Sequence, residues 1–380
     1  MFNRDLKLIF ACNLIGSFGD GLFAYLLPRY MDKSLGASSV EIGILYAVLN
    51  LCAALTLLVA GMLADKYDRK KIMIAGWLAW LPAPLIFSLA GNWLQMVPGM
   101  VMWGFWLGGP TSTAYILTSA EKNRMTLTFA TMSAAWSIGY IFSPALGGYL
   151  AGVVGMRVVF YLSFLLYAVA CLTLFFIRSQ HATKGEKTST EEQFSLSRLL
   201  RIRRLQILSV FFASLMFVLM MFRPFVVNFL TDVYGYGDFE IGILGSVSFA
   251  SSAVLGLLLG GLGDRSKKAY ALTLSIALGS ISSILLLISG NFMMLILTFF
   301  FAGGSYATWS LLSAIVGPLA PESCRARWIA VPQTVSMFAS FIAPYLGGFL
   351  YATSPQYPFI IAVVAMLPLA FLSLTKLFKQ

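Results

Sequence analysis

Charge, histidine and cysteine are all scarce in this chain. Of its 380 residues only 11% are charged and 59% are hydrophobic, whereas a soluble domain is about 25% charged. A water-soluble fold of this length has too few polar residues to cover so much apolar side chain. The single histidine, His181, falls in the most polar segment. That excludes an imidazole metal site and a buried histidine proton relay. The four cysteines, Cys12, Cys52, Cys171 and Cys324, show no paired spacing, and three lie in apolar stretches where a thiol acts as a small hydrophobe. Neither a disulfide framework nor a metal site is read from them. No nucleophile–base constellation is visible, so an enzyme is the least favoured class, and no cofactor is expected. Apolar runs alternating in blocks of about ten residues are also missing, which excludes a porin-type barrel.

What is present is a series of long apolar runs. Twelve stretches of about twenty residues, bounded by charge, glycine or proline, fit the thickness of a bilayer. They lie near 6–32, 41–64, 71–90, 93–120, 125–151, 156–178, 205–233, 239–262, 269–289, 293–319, 326–352 and 356–376. The first follows Met1 to Lys7 without a small-residue cleavage site and reads as a retained span. The longest polar interval, 179–204, divides the spans six and six. The expected organisation is therefore an N-terminal half (1–178), a linker (179–204) and a C-terminal half (205–380), all α-helical. The formal charge of +11 would suggest nucleic acid in a soluble protein. Here 22 of the 26 Lys and Arg fall on one side of the membrane when both termini are cytoplasmic, so topology accounts for it and no nucleic-acid partner is expected.

The two halves repeat. Glu41-Ile42-Gly43-Ile44-Leu45 recurs as Glu240-Ile241-Gly242-Ile243-Leu244, a shift of 199. The same shift carries Gly61 to Gly260, Asp65 to Asp264 and Arg69 to Lys268. Ser143-Pro144-Ala145-Leu146-Gly147-Gly148 returns as Ala343-Pro344-Tyr345-Leu346-Gly347-Gly348, a shift of 200. Similarity among Leu/Gly-rich helices alone would not reproduce the charged loop positions. A duplicated six-span unit does.

These same motifs carry a resemblance. Gly61-Met62-Leu63-Ala64-Asp65-Lys66-Tyr67-Asp68-Arg69-Lys70-Lys71, between spans two and three, resembles the cytoplasmic loop motif of the major facilitator superfamily, with Asp68 where a glycine is usual. Gly139, Ser143, Pro144, Gly147 and Gly148 in span five resemble the signature of that family's drug/proton antiporters, with Ser143 in place of a glycine. The antiporters' arginine in span four is missing; Trp103-Gly104-Phe105-Trp106 stands there. The resemblance implies a twelve-helix transporter that works as a monomer in a prokaryotic plasma membrane, with lipid around it.

Charges within spans are costly and point to function or structure. Asp20 lies within span one and Arg223, before Pro224, within span seven; the two read as an ion pair, a proton site or a substrate anchor. Arg29 and Asp32, near the outer end of span one, read as solvated. Asp65 and Asp264 end helices, and a carboxylate there suits a gate. Gly139, Pro144, Gly147 and Gly148, with Pro344, Gly347 and Gly348, read as helix bends and close contacts. Trp103, Trp106, Tyr115, Trp136, Tyr306, Trp309 and Gln333 are candidate walls of an amphipathic cavity, although each alone is more often helix packing or interface belt than ligand contact.

The expected function is secondary transport by alternating access. No nucleotide-binding loop is present for direct ATP drive. Efflux of a lipophilic or amphipathic compound is favoured by the span-five motif and the aromatic residues, with proton coupling open because the missing span-four arginine does not support that group's usual antiport route. Uptake of a sugar or organic acid is the alternative, and a transport-inactive receptor or scaffold is the reading from another class.

Overall fold

A computed structural model describes residues 3–120, 125–181, 201–265, 268–316, 319 and 325–375, with side chains for most of them. Helices make up the regular structure of the described residues, and ten apolar stretches are long enough to cross a membrane. They are Arg4–Leu35, Ser39–Leu57, Arg69–Leu89, Thr131–Val154, Met156–Phe175, Arg203–Asp232, Asp238–Arg265, Lys268–Ile288, Phe292–Val316 and Val331–Thr353. These correspond to spans one to three and five to eleven. Span four is interrupted: the helix Val97–Trp103 stops, and a new one runs over Gly108–Ser119. Span twelve, Tyr357–Ser373, is an apolar helix of 17 residues.

Local chemistry explains where helices begin and end. Asn3 accepts from the Leu6 N–H at 2.8 Å and Asn291 from the Met293 N–H at 3.0 Å, each satisfying a donor in the first turn. Gly36, at φ 65°, closes the helix Leu27–Leu35 in a left-handed conformation that costs glycine nothing. Cys12, Cys52 and Cys171 are free thiols, and Cys324 lies outside the described residues.

The chain forms two compact units. One comprises Met1–Ala37, Val48–Lys184 and Gly235–Ser246; the other comprises Ser38–Ala47, Gly185–Tyr234 and Val247–Gln380. In the first, span one packs along spans five and six; in the second, span seven packs along span eleven.

The sequence repeat reappears as repeated contacts. A side chain at Gly147 would strike the Leu22 carbonyl, and one at Gly347 would strike the Met221 carbonyl. In the same way Gly148 lies against the Asp238 carbonyl and Gly348 against the Ser39 carbonyl. Gly242 approaches the Pro144 carbonyl within the first unit, and Gly43 approaches the Pro344 carbonyl within the second. All three pairs are related by shifts of 199 or 200. The Gly-Gly motif and the Glu-Ile-Gly-Ile-Leu motif are thus the two sides of one type of helix contact, where backbone meets backbone.

Arg29 departs from the solvated reading. Its Nε lies 2.7 Å from Asp238 Oδ1 and its Nη1 donates to the Tyr236 carbonyl at 3.1 Å, with 20% of the side chain exposed. Tyr236 and Asp238 come from the distant segment that joins the first unit, so nothing local in the sequence marked the pair.

Candidate functional site

Spans one, four, seven and ten are interrupted, and charged or aromatic side chains sit at or near the breaks. Pro28 lacks an N–H and its ring crowds the preceding turn, so the first helix stops at Ala24 before restarting at Leu27. Span four loses its helix between Trp103 and Gly108, ahead of Pro110. Thr56 Oγ1 tends the opened backbone there, accepting from the Trp106 N–H at 2.9 Å and lying 3.3 Å from the Gly104 carbonyl. In span seven Pro224 enforces a 3-10 turn over Arg223–Phe225. Span ten has a matching turn over Ser305–Ala307, where Ser275 Oγ donates to the Gly304 carbonyl at 2.8 Å.

Within the first unit the breaks bring Trp103 to Asp20. The indole Nε1 donates to Asp20 Oδ1 at 2.8 Å, Tyr167 donates to the same oxygen, and Tyr140 donates to Oδ2. Asp20 is 5% exposed. A buried carboxylate is stable only when its oxygens have such donors. Its partners come from spans four, five and six.

Beside this cluster lies a cavity of about 230 Å³. Trp77, Trp80, Trp106 and Trp136 contribute indoles to it, and Asn13, Ser112, Thr113 and Ser133 contribute small polar groups. Both Asp20 tyrosines touch its wall. Tyr140 stacks on Trp136 with centroids 6.2 Å apart and planes 20° apart, and Tyr167 meets Trp77 edge-on at 5.6 Å. Trp80 joins Trp106 at 5.3 Å. The lining residues carry no formal charge, so the cavity suits a solute with aromatic surface and a few hydrogen-bonding groups.

The candidate residues thus separate. Trp106 and Trp136 line the cavity, whereas Trp103 serves Asp20. Tyr115 is buried, and its hydroxyl donates to the Arg178 carbonyl at 2.9 Å and lies 3.3 Å from Asp5 Oδ2, away from the cavity wall. In the second unit Tyr306 lies under Arg223, whose guanidinium carbon is 4.4 Å from the ring centroid. Trp309 is half-buried on the helix that follows, and Gln333 Nε2 donates to Ser313 Oγ at 3.3 Å. Gly139 packs its backbone against Ser17, and Ser143 Oγ is buried against Gly21 without a hydrogen-bond partner among the described residues. Trp77, Trp80, Tyr140 and Tyr167 went unread in the sequence. Trp77 and Trp80, three residues apart on one helical face, were the available signal.

The loop motif is only partly described. The side-chain surroundings of Gly61 and Asp65 lie outside the described residues. Gly260 and Asp264 are exposed, and Lys268 opens the helix Lys268–Ile288. Arg69 Nη1 reaches Thr118 Oγ1 at 2.7 Å, Gln180 Oε1 at 2.8 Å and the Ala114 carbonyl at 3.2 Å. Asp68, in the position of the usual glycine, caps the helix Arg69–Trp80 by accepting from the Lys70 N–H at 3.0 Å, and accepts from the Gln180 N–H at 3.1 Å. Burial alone would raise its carboxyl, but hydrogen bonds from Ser179, Gln180 and Lys70 and the charge of His181 hold it below the usual value.

The profile of the Major Facilitator Superfamily matches residues 9–237 and 211–379. The chain belongs to that superfamily. It is a multi-pass membrane transporter with a small-molecule substrate. Among relatives, it is 24% identical to Multidrug resistance protein 2 of Bacillus subtilis (strain 168) over 393 residues, spanning 99% of this chain and 96% of that protein. It is 26% identical over 355 residues to the multi-drug resistance efflux pump PmrA homolog of Lactococcus lactis subsp. lactis (strain IL1403), spanning 88% and 85%. The crystal structure of the nucleoside transporter NupG superposes with a TM-score of 0.82 at 16% identity and covers all of both chains. At that identity the superposition speaks for the fold alone.

Proposed function

We propose that this transporter exports small amphipathic compounds with aromatic surface, and that Asp20 is its proton-responsive group. The observation that carries the reading is the contact between the Asp20 cluster and the cavity wall, through Tyr140 on Trp136 and Tyr167 on Trp77. A solute that displaces Trp136 or Trp77 acts on the donors of Asp20, which links occupancy to protonation. The names of the relatives, a multidrug resistance protein and an efflux pump, support export. In this reading the protein works as a monomer in a prokaryotic plasma membrane with both termini cytoplasmic, and Asp65 and Asp264 act in gating. Proton coupling here uses Asp20 without the span-four arginine.

The test is transport of dansylamide, a neutral aromatic dye, by protein reconstituted in liposomes under an imposed pH gradient. Wild type accumulates the dye against its gradient. Asp20→Asn abolishes accumulation while dye binding persists. Full gradient-driven accumulation in that variant would remove Asp20 from the coupling role, and no dye movement by wild type would reject the export of such compounds.

A further inference from the structure

Arg223 is a cation held inside a membrane span, and among the described residues it has no acid beside it. Its Nη2 donates to Ser305 Oγ at 3.1 Å, and its guanidinium lies over the Tyr306 ring. Among the described residues no carboxylate forms a salt bridge with it. The Ser305 hydroxyl donates to the Ala302 carbonyl at 2.8 Å, so it offers Arg223 a lone pair and no charge. A guanidinium cannot lose its proton to escape burial. A cation–π contact and one hydroxyl offset only part of the cost of leaving water, and a full partner is an anion.

Several observations place that partner in a ligand. The side chain is half-buried, and none of its nitrogens is among the sealed polar atoms lacking partners, so the rest of its fork stays open. Arg223 and Ser305–Tyr306 occupy the 3-10 turns that interrupt spans seven and ten. Interrupted spans near the middle of the membrane are where transporters of this architecture bind solute. Asp20, the acid deep in span one, already accepts three hydrogen bonds in its own unit.

We propose that Arg223, Ser305 and Tyr306 form a recognition subsite for a carboxylate on the transported solute. The substrates then include aromatic organic acids and zwitterions. A carboxylate matches the planar guanidinium fork with two parallel hydrogen bonds. Its single charge balances the single cation, whereas a phosphate dianion calls for a second one. Elsewhere in the described part of spans seven to twelve, Arg and Lys occur at helix ends, as at Arg203, Arg204, Arg265 and Lys268. This inference rests on the export reading and narrows its substrate class.

The experiment compares dansylglycine with its methyl ester, which keeps the aromatic body and removes the charge. Binding is measured by fluorescence titration to the full chain in lipid nanodiscs, and export from proteoliposomes is measured for both. The acid binds wild type at least tenfold more tightly than the ester. Arg223→Gln brings the acid to the ester's affinity and leaves the ester within twofold, while Arg223→Lys retains part of the preference. Equal wild-type affinities for acid and ester, or equal weakening of both by Arg223→Gln, would overturn the subsite. The wild-type comparison decides the matter even where the glutamine variant fails to fold. Export of the ester without preference for the acid sinks the subsite alone. Loss of export for both, with the binding preference intact, sinks the export reading alone.

Discussion

The indole N–H of Trp103 reaches Asp20 Oδ1 at 2.8 Å, and both residues stand within about a turn of the point where their helices stop. The bond therefore ties two interrupted spans together at a buried carboxylate. A hydrogen bond to a charged group contributes about 1.5–3 kcal/mol. Trp103→Phe should lower stability by that amount, and a double-mutant cycle with Asp20→Ala should return a coupling of similar size. Thermal unfolding of the four proteins in detergent measures it. Additive losses would show that the pair does not interact.

The cavity assignment separates residues of the same type. Trp136 lines the cavity, while Tyr115 is buried with its hydroxyl on the Arg178 carbonyl. An aromatic contact is worth about 0.5–1.5 kcal/mol, so Trp136→Ala should weaken binding of an aromatic dye by roughly twofold to just over tenfold. Tyr115→Phe should leave affinity alone and lower thermal stability by about 1 kcal/mol, the value of one hydrogen bond. Reversed effects would return Trp136 to packing and move Tyr115 to the ligand.

The repeat predicts matched penalties. A methyl at Gly147 meets the Leu22 carbonyl and one at Gly347 meets the Met221 carbonyl, at equivalent positions of the two units. Forcing a methyl into such a contact costs about 1–3 kcal/mol. Gly147→Ala and Gly347→Ala should each lower the unfolding temperature, and by similar amounts. A large loss at one and none at the other would mean that the repeated sequence does not mark equivalent packing.

Those glycines were legible because small residues in an apolar helix have few other reasons to recur at a fixed spacing. The spans were legible for a similar reason, since bilayer thickness sets their length. Asp20 and Arg223 stood out as charges in apolar surroundings, but their partners did not. Trp103, Tyr140 and Tyr167 are 83, 120 and 147 residues from Asp20, and only the packing of four spans brings them together. The break after Ala302-Gly303-Gly304 has no proline to announce it, unlike the break at Pro224. Trp77 and Trp80 were hidden in a span whose apolar residues suit lipid and cavity alike.

Asp68 gives a prediction with a pH sign. Its carboxylate caps the helix that begins at Arg69 and accepts from the Gln180 N–H, tying the segment after span six to the loop. Asp68→Gly restores the residue usual in the loop motif and removes both acceptors. Loss of a cap costs about 1 kcal/mol, though glycine recovers some of it. Thermal unfolding near pH 7 should show that loss, and tryptic cleavage after Arg178 should accelerate. Because the folded carboxyl is held below its usual value, its contribution is complete above the unfolded value of about 3.9 and disappears as pH falls through the lower folded value. The gap between wild type and Asp68→Gly should therefore be constant from neutral pH to about 5 and narrow only below about 4. Asp68→Asn, which keeps an acceptor but cannot titrate, should retain most of the cap and show no narrowing against a low-pH reference. Equal stability of the glycine variant and wild type at neutral pH, or a gap that does not narrow at all as pH falls below about 4, would sink the assignment of Asp68 as the anchor of this loop.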